Sequence, residues 1–576
     1  MYIDLVISCY NFFLLNGKME TQNSDNNPYV STDKLDRKWI DVNIPCSAAC
    51  PVMTDIPGYI QAITDGDYKT AYRINRMENI LPGVLGRVCD RPCEPACRHG
   101  WDGLGDPVSI CFLKRAAADY GMGPVNPEIK SNDKKICVIG AGPAGLTAAN
   151  DLALKGYQVT ILEQFDQPGG MLRYGIPQFR LPYDVVAEDV KSITDLGVTI
   201  KTNVRVEDIR DIDKLRKDYD AVILAGGCAN PKQTSIPGIE SNSVYWGLDF
   251  LIAANREELD IPLEKVIVIG GGFTAVDCTR MSYRLGAKNI TLAYRRTKDD
   301  MYVGAHELEV MEAEGIDTIF LASPVTIVSN DEGGVTGVKF VRNSINEDRS
   351  ITPIDGSEFI MEADTVIFAV GQKADEKITE AGSIEQMNDF SIAGDFRNGS
   401  STVIEAVADG RKVAREVHMQ LSNIKSYQDT IHISEVKETG RERDYDFIPV
   451  QPMDTTPMRD RQIKNREVET GYSKEKSITE AKRCYLCHYN FQIDIKRCIY
   501  CLACIDVMPV DCIKMAKDIE VTEDGNLNYV ETKNWSEVEA ITIDNDKCIR
   551  CGNCVRACPV DCISISKYKL EVQEEK

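Results

Sequence analysis

ICVIGAGPAGLTAANDLALKGYQVTILE, residues 136–163, is the stretch on which the fold turns. An apolar run is followed by a turn with Gly140, Gly142 and Gly145, a helix-patterned segment, and a second apolar run ending in Glu163. Glycines at this spacing let the backbone approach a pyrophosphate at a helix N-terminus, where free amides and the helix dipole favour an anion. Glu163 stands 21 residues beyond Gly142, where a carboxylate accepts hydrogen bonds from ribose hydroxyls. A lone GxGxxG is weak evidence. With both strands, the helix and the acid present, the unit predicts an FAD-binding Rossmann domain with Pro143 and Ala144 in the phosphate loop. Gly170, Met171 and Val206 are further candidates for that cofactor.

A second copy, KVIVIGGGFTAVDCTRMSYRLGAKNITLAYRR, spans residues 265–296, with Gly270, Gly272 and Ala275 at the turn and Phe273 and Thr274 between the last two. The same count of 21 from Gly272 lands on Ala293, followed by Tyr294, Arg295 and Arg296. A carboxylate there would repel a 2′-phosphate, whereas guanidinium groups pair with one. This copy therefore predicts an NADPH site. YDAVILAGG at Tyr219 and ADTVIFAVGQ at Ala363 read as strands that cross between the two domains, with Gly371 just beyond the second. SIAGDFRNGSSTVIEAVADGRKVA places Gly394 and Asp395 at a strand end before a helix from about Thr402, whose N-terminus can face the flavin. No CxxC lies between Cys97 and Cys484, so electrons are not expected to leave through a dithiol.

Of the 21 cysteines, sixteen fall in two groups, five between Cys46 and Cys97 and eleven between Cys484 and Cys562, which suits metal centres in a reducing cytoplasm better than a disulfide framework. Cys548, Cys551, Cys554 and Cys558-Pro559 form the C-x2-C-x2-C-x3-C-P run of two-cluster ferredoxins, in which the fourth cysteine serves the other cluster. Cys498, Cys501, Cys504 and Cys558 then complete one [4Fe–4S] cluster. The other has Cys548, Cys551 and Cys554, but Met508 stands where its fourth ligand belongs. A three-iron cluster, a non-cysteine ligand, or a spare thiol among Cys512, Cys484 and Cys487 are the open outcomes. At the N-terminal end Cys46, Cys50, Cys89, Cys93 and Cys97 count economically as one cluster, giving about three in all.

A net charge of −23 argues against nucleic acid or an anionic membrane as partner. The opening MYIDLVISCYNFFLLNGK carries Asp4, lacks a basic start and is too short to span a bilayer, so neither a leader nor membrane insertion is expected. The expected organisation is a disordered extension (1–41), a helical Fe–S domain (42–130), FAD-binding segments (131–260 and 371–425) around an NADPH-binding domain (261–370), a linker (426–480) and a ferredoxin-like 4Fe–4S domain (481–576). The fold class is α/β, two interleaved Rossmann-like domains, flanked by the N-terminal α-helical and C-terminal α+β units. CIYCLACIDVMPVDCI and CIRCGNCVRACPVDCI, fifty residues apart, predict duplicated halves about a pseudo-two-fold axis.

The motifs CxxxCP, GRVCxxxCExxC, VIGAGPAGL, GIPQFRLP, GGGFTAVD, YRR and AGD together resemble the small (β) subunit of bacterial glutamate synthase and its relatives, over about Pro45 to Ala414. The resemblance implies an NAD(P)H-dependent flavin oxidoreductase moving electrons between NADP(H) and a partner protein or ferredoxin, as part of a larger complex and with no side-chain acid or base. It also implies that Arg180 contacts FAD and that Ala369 to Gly371 lie near the nicotinamide. Those relatives carry two further cysteines just upstream of Cys46, where DRKWIDVNIP has none. One N-terminal cluster is therefore expected, from Cys50, Cys89 and Cys93 with Cys46 or Cys97, and Cys111 as the lesser alternative. A ferredoxin:NADP+ reductase, a bifurcating subunit and a relay subunit without turnover of its own are the rival expectations.

Overall fold

A computed structural model describes residues 29–30, 37–100, 105–124, 128–259, 263–375, 389–521 and 527–575. Of the extension expected over 1–41, residues 1–28 and 31–36 lie outside the described residues, while Tyr29–Val30 pairs with Asp494 and Ile493 as a short strand. A helical domain follows, with α1 (Arg37–Asn43), α2 (Ile56–Thr64), α3 (Tyr68–Glu78), α4 (Pro82–Val88) and α5 (Ile110–Gly121). Asp55 and Asp67 cap α2 and α3 by accepting from the amides of Gly58 and Thr70, both at 3.0 Å. Ile56, Tyr59, Ile60 and Ile63 recur at helical spacing and are buried. Helix α5 is buried over most of its length and is the axis on which the others pack.

The next 290 or so residues form the two interleaved domains. The first uses β1 (Lys135–Ile139), α6 (Pro143–Leu154), β2 (Gln158–Leu162), α7 (Tyr183–Thr194), β3 (Thr199–Lys201) and β4 (Ala221–Leu224). The chain then builds β5 (Val244–Trp246), β6 (Lys265–Ile269), α8 (Phe273–Arg284), β7 (Asn289–Ala293), β8 (Asp317–Ile319) and β9 (Thr365–Phe368) before returning as β10 (Phe390–Ile392) and α9 (Val403–Leu421). Both sheets are parallel, ordered β10-β4-β1-β2-β3 and β8-β7-β6-β9-β5. The strand before each glycine turn is central and near-continuously apolar, as a sheet covered on both faces requires. The two crossing segments pair with each other, Asn230–Pro231 against Gln372–Lys373.

The segment expected as a linker is ordered along much of its length. It carries β11 (Ser426–Val436), which runs antiparallel to the last strand of the chain, and ends in α10 (Lys474–Ala481), capped by Ser473. Its charged residues are used in pairing: Glu467 bridges Arg87 and Arg115, and Glu469 meets His306. Low apolar content therefore marks a strap fastened by ions.

The C-terminal module contains β12 (Tyr489–Asp494), β13 (Ile513–Val521), β14 (Leu527–Glu531), β15 (Ala540–Ile543) and β16 (Ile563–Glu575). The first strand of each repeat pairs with the second strand of the other, β12 with β16 and β15 with β13. That exchange is the two-fold arrangement the repeat implied.

The helical domain meets the FAD domain through Asp189 of α7, fully buried, whose Oδ2 accepts from the amide of Val84 at 2.8 Å. Burial pushes its carboxyl up to about 7, against the pull of the Val84 amide and Arg76. The folded form thus holds a proton that the unfolded chain releases near pH 4, so this group's contribution to stability falls as pH rises from about 4 to about 7. Asp189→Asn should remove that slope: the stability difference between variant and wild type, measured by denaturant unfolding, should grow by up to about 1.4 kcal/mol per pH unit across the window and be flat outside it.

Candidate dinucleotide and iron–sulfur sites

Gly140, Gly142, Pro143, Ala144, Glu163, Gly170, Met171, Val206 and Asp395 line one cavity above the β1 edge. The glycines do different work. A Cβ at Gly140 would stand 2.4 Å from the Ala225 carbonyl and one at Gly145 2.0 Å from the Gly140 carbonyl, so these two close the strand–helix packing. A Cβ at Gly142 would meet nothing within 4 Å and would fill the cradle itself. Gly394 stands behind the loop, where a Cβ would meet Ala144, and its amide donates to Asp409. Burial raises the Glu163 carboxyl, while the amides of Phe165 (2.9 Å) and Ala141 (2.7 Å), which donate to it, hold it in place. Thr402 and Val403 bring the N-terminus of α9 to the same cavity, with Thr402 and Glu405 forming a capping box. An open cradle, two helix N-termini and a fixed carboxylate fit FAD. Phe165, Asn230 and Gly227 also line the cavity, and no sequence period marks them.

Arg180 is placed differently from what the resemblance implied. It does not line that cavity; its guanidinium donates to Asp277 at 2.9 Å and to Glu307 at 2.8 Å, joining the two domains.

The second turn repeats the first. A Cβ at Gly270 would meet the Ala369 carbonyl at 2.3 Å, while one at Gly272 would meet nothing within 4 Å. Phe273, Thr274 and Ala275 begin α8 there, Ala275 fully buried behind the loop. Gly371, at the crossing segment, accepts from the amide of Lys232 at 2.9 Å. At the end of β7 Arg295 is exposed, and the Arg296 guanidinium donates to the Arg349 carbonyl at 2.9 Å. Arg349, which the motif count did not reach, pairs with Asp300. The Thr297 hydroxyl and then Arg349 hold the Asp300 carboxyl down to about 2. Arg349 thereby ties the acid near the arginines, and the guanidinium groups of Arg295 and Arg296 remain for a phosphate. Tyr294 explains the middle glycine: a Cβ at Gly271 would stand 2.2 Å from its ring.

The cysteines sort themselves by position. Cys50, Cys89, Cys93 and Cys111 surround the ammonium of Lys114, which is 3% exposed and in no ion pair among the described residues. Burial pushes Lys114 down, but the thiols of Cys89, Cys111, Cys93 and Cys50 outweigh it and hold it well above its usual range. The Cys111 thiol is hydrogen-bonded to Cys89 and brings that thiol down to about 6. Cys111, on α5, packs in the same buried core as Cys50, Cys89 and Cys93 and donates to the Leu85 carbonyl at 3.2 Å. A buried cation whose neighbours are thiols fits a cluster bearing thiolate charge. Cys46 and Cys97 share their buried core with Cys487 from the second half of the chain, and Cys484 packs against it.

In the C-terminal module Cys498, Cys501, Cys504 and Cys558 line one small cavity together with Cys562. Cys512 is hydrogen-bonded to Cys548 and lies within reach of Cys551 and Cys554. The Met508 sulfur accepts instead from the amide of Ile513 at 3.3 Å. Among the described residues no three His, Cys, Asp or Glu side chains close around a single ion. A four-iron cluster takes one thiolate per iron, so its cysteines stand further apart than those of a mononuclear site.

Three family models match: pyridine nucleotide-disulphide oxidoreductase over 134–409, dihydropyrimidine dehydrogenase domain II with its 4Fe–4S cluster over 37–124, and a 4Fe–4S binding domain over 541–564. The chain is 35% identical to the NADP(+)-dependent formate dehydrogenase subunit beta of Moorella thermoacetica, over 78% of this chain and 71% of that one. It is 32% identical to the NADPH-Fe(3+) oxidoreductase subunit beta of Geobacter sulfurreducens (77% and 75%) and 34% identical to the glutamate synthase [NADPH] small chain of Escherichia coli (64% and 87%).

Because Gly272 has φ −111° and faces open space, Gly272→Val should fold and keep its flavin. Nucleotide binding at this turn should weaken about tenfold or more, about 1.4 kcal/mol, in a fluorescence titration with NADPH.

Proposed function

The chain belongs to the family of NADPH-linked flavin and iron–sulfur oxidoreductase subunits that these relatives represent, and we propose that it carries electrons between NADP(H) and a partner protein or ferredoxin. When bound, FAD exchanges a hydride with the nicotinamide and single electrons with iron–sulfur carriers. The protein supplies position and charge. Gly272 leaves room for the pyrophosphate, Arg295 and Arg296 offer cations to the 2′-phosphate, and Thr402 and Glu405 shape the helix end at the flavin cavity.

The observation that carries this reading is the order of the sites in space. Ala144 and Val403, which line the flavin cavity, pack in or against one buried core with Cys46, Cys50, Cys89, Cys93, Cys97 and Cys111 and, from the far end of the chain, Cys487 and Cys551. Cys504, Cys512, Cys548 and Cys554 lie in a second core, which meets the first at Cys484 and Val510. This packing supports a row of thiols from the flavin cavity to the C-terminal module. We infer that Cys512 completes the cluster of Cys548, Cys551 and Cys554 where Met508 cannot, since a thioether is the weaker ligand for a cubane iron. The names of the relatives, as subunits and small chains, support membership of a larger complex. A reducing, cytoplasmic location is supported by the twenty described cysteines, all unbridged. No helix among the described residues is long and apolar enough to cross a membrane.

Anaerobic titration should bleach the flavin with NADPH at far lower concentration than with NADH, and the reverse order would overturn the assignment. Arg295→Ala/Arg296→Ala should weaken NADPH about tenfold to a hundredfold while leaving NADH unchanged, as loss of charged hydrogen bonds worth about 1.5–3 kcal/mol requires. Cys512→Ser should lower iron by about one per flavin and give the electron paramagnetic resonance signal of an oxidised three-iron cluster; an unchanged spectrum would remove Cys512 from the ligand set.

A further inference from the structure

Cys484-Tyr485-Leu486-Cys487 is a Cys-x-x-Cys loop outside both ferredoxin repeats. Its backbone has the form of the cluster-binding loops beside it. Leu486 has φ 52°, and its amide donates to the Cys484 sulfur at 3.4 Å. In the second repeat Arg550 has φ 59°, and its amide donates to the Cys548 sulfur at the same distance. Tyr500 in the first repeat (φ 54°) and Arg91 after Cys89 (φ 64°) show the same left-handed residue with its amide on the preceding thiol. A bulky residue held at positive φ costs free energy, on the order of 1 kcal/mol. Here it aims an amide at a sulfur, the kind of hydrogen bond that tunes iron–sulfur centres.

The loop is docked where two N-terminal thiols wait. Glu480 accepts from the amide of Ser109 at 2.8 Å, Arg483 donates to the carbonyls of Asp106 and Pro107, and the Tyr485 ring lies 4.8 Å from that of His99. Cys46, Cys97 and Cys487 lie together in one buried core, with Cys484 packed against it. Arg441 donates to the Cys484 carbonyl at 2.9 Å and is itself paired with Asp446, as Arg483 is with Glu480, so buried ion pairs fix the loop in place.

We propose that Cys46, Cys97, Cys484 and Cys487 hold a [4Fe–4S] cluster of their own, separate from the group of Cys50, Cys89, Cys93 and Cys111. The two thiols missing upstream of Cys46 are replaced from the far end of the chain. Five N-terminal cysteines, too few for two clusters, become part of eight that complete both. The shared cluster ties the C-terminal module to the helical domain and fills the gap between Cys93 and Cys548 in the row of thiols. The proposal rests on reading the helical domain as an iron–sulfur carrier.

The test is iron and acid-labile sulfide per bound FAD in the anaerobically purified full chain, with electron paramagnetic resonance of the dithionite-reduced protein. Wild type should hold about sixteen irons per flavin. Cys484→Ser/Cys487→Ser, and separately Cys46→Ser, should each lose about four and lack the same reduced-cluster signal, with FAD retained. Flavin-loaded variants with the wild-type iron count would overturn the proposal. Should no variant accumulate as a flavoprotein, the wild-type count decides: about sixteen supports the fourth cluster, and about twelve or fewer overturns it. Wild type without iron would bring down the functional reading as well, whereas about twelve irons, unchanged in the variants, would remove this cluster alone.

Discussion

The buried ion pair between Glu480 and Arg483, 2.6 Å apart, is the joint on which the two ends of this chain meet. Taking both charges out of water is costly unless their remaining hydrogen-bonding capacity is met. Here it is met from three segments. Glu480 also accepts from the amides of Ser109 and Gln451, and Arg483 donates to the carbonyls of Asp106, Pro107 and Ile448. An apolar pair could bury as much surface without choosing a partner. The ion pair docks in one register, and that register places Cys487 in the buried core that holds Cys46 and Cys97, with Cys484 packed against it.

A second constraint is charge. The chain as a whole is strongly acidic, yet its interior cations gather where the thiols are. Lys114 sits among Cys50, Cys89, Cys93 and Cys111. Arg550, fully buried, reaches Asn43 of α1 and the Tyr489 carbonyl, while Arg98 donates to the Asn545 carbonyl. Burying a cation is costly unless anionic or hydrogen-bonding groups meet it. The acidic surface is the outer counterpart of this basic interior and suits a partner with a basic docking face.

The dinucleotide halves share one solution, with one glycine closing the strand–helix contact and another leaving the cradle open. They are fastened to each other by Arg180, Asp277, Glu307, Arg280 and Glu314, a network with little exposure to water. Arg180 thus serves the relative placement of the two clefts, and hydride exchange depends on that placement.

Local periodicity and spacing determined a great deal by themselves. The strand–turn–helix units, the missing acid before Arg295 and Arg296, and the ferredoxin repeat are all contiguous in the chain, and each carries its meaning within about thirty residues. The polar segment after Ser422 was legible only as poor in apolar residues, because ion pairs with distant partners leave no period. Which thiols come together was decided by tertiary structure alone. Spacing offers Cys111 only as the lesser alternative and leaves Cys512, Cys484 and Cys487 as spare thiols, until packing puts Cys111 in one core with Cys89, Cys512 in one with Cys548, and Cys487, nearly 400 residues away in the chain, in one with Cys97. A cluster binds whichever thiols share a point in space, and sequence spacing reports that point only when one loop supplies them all.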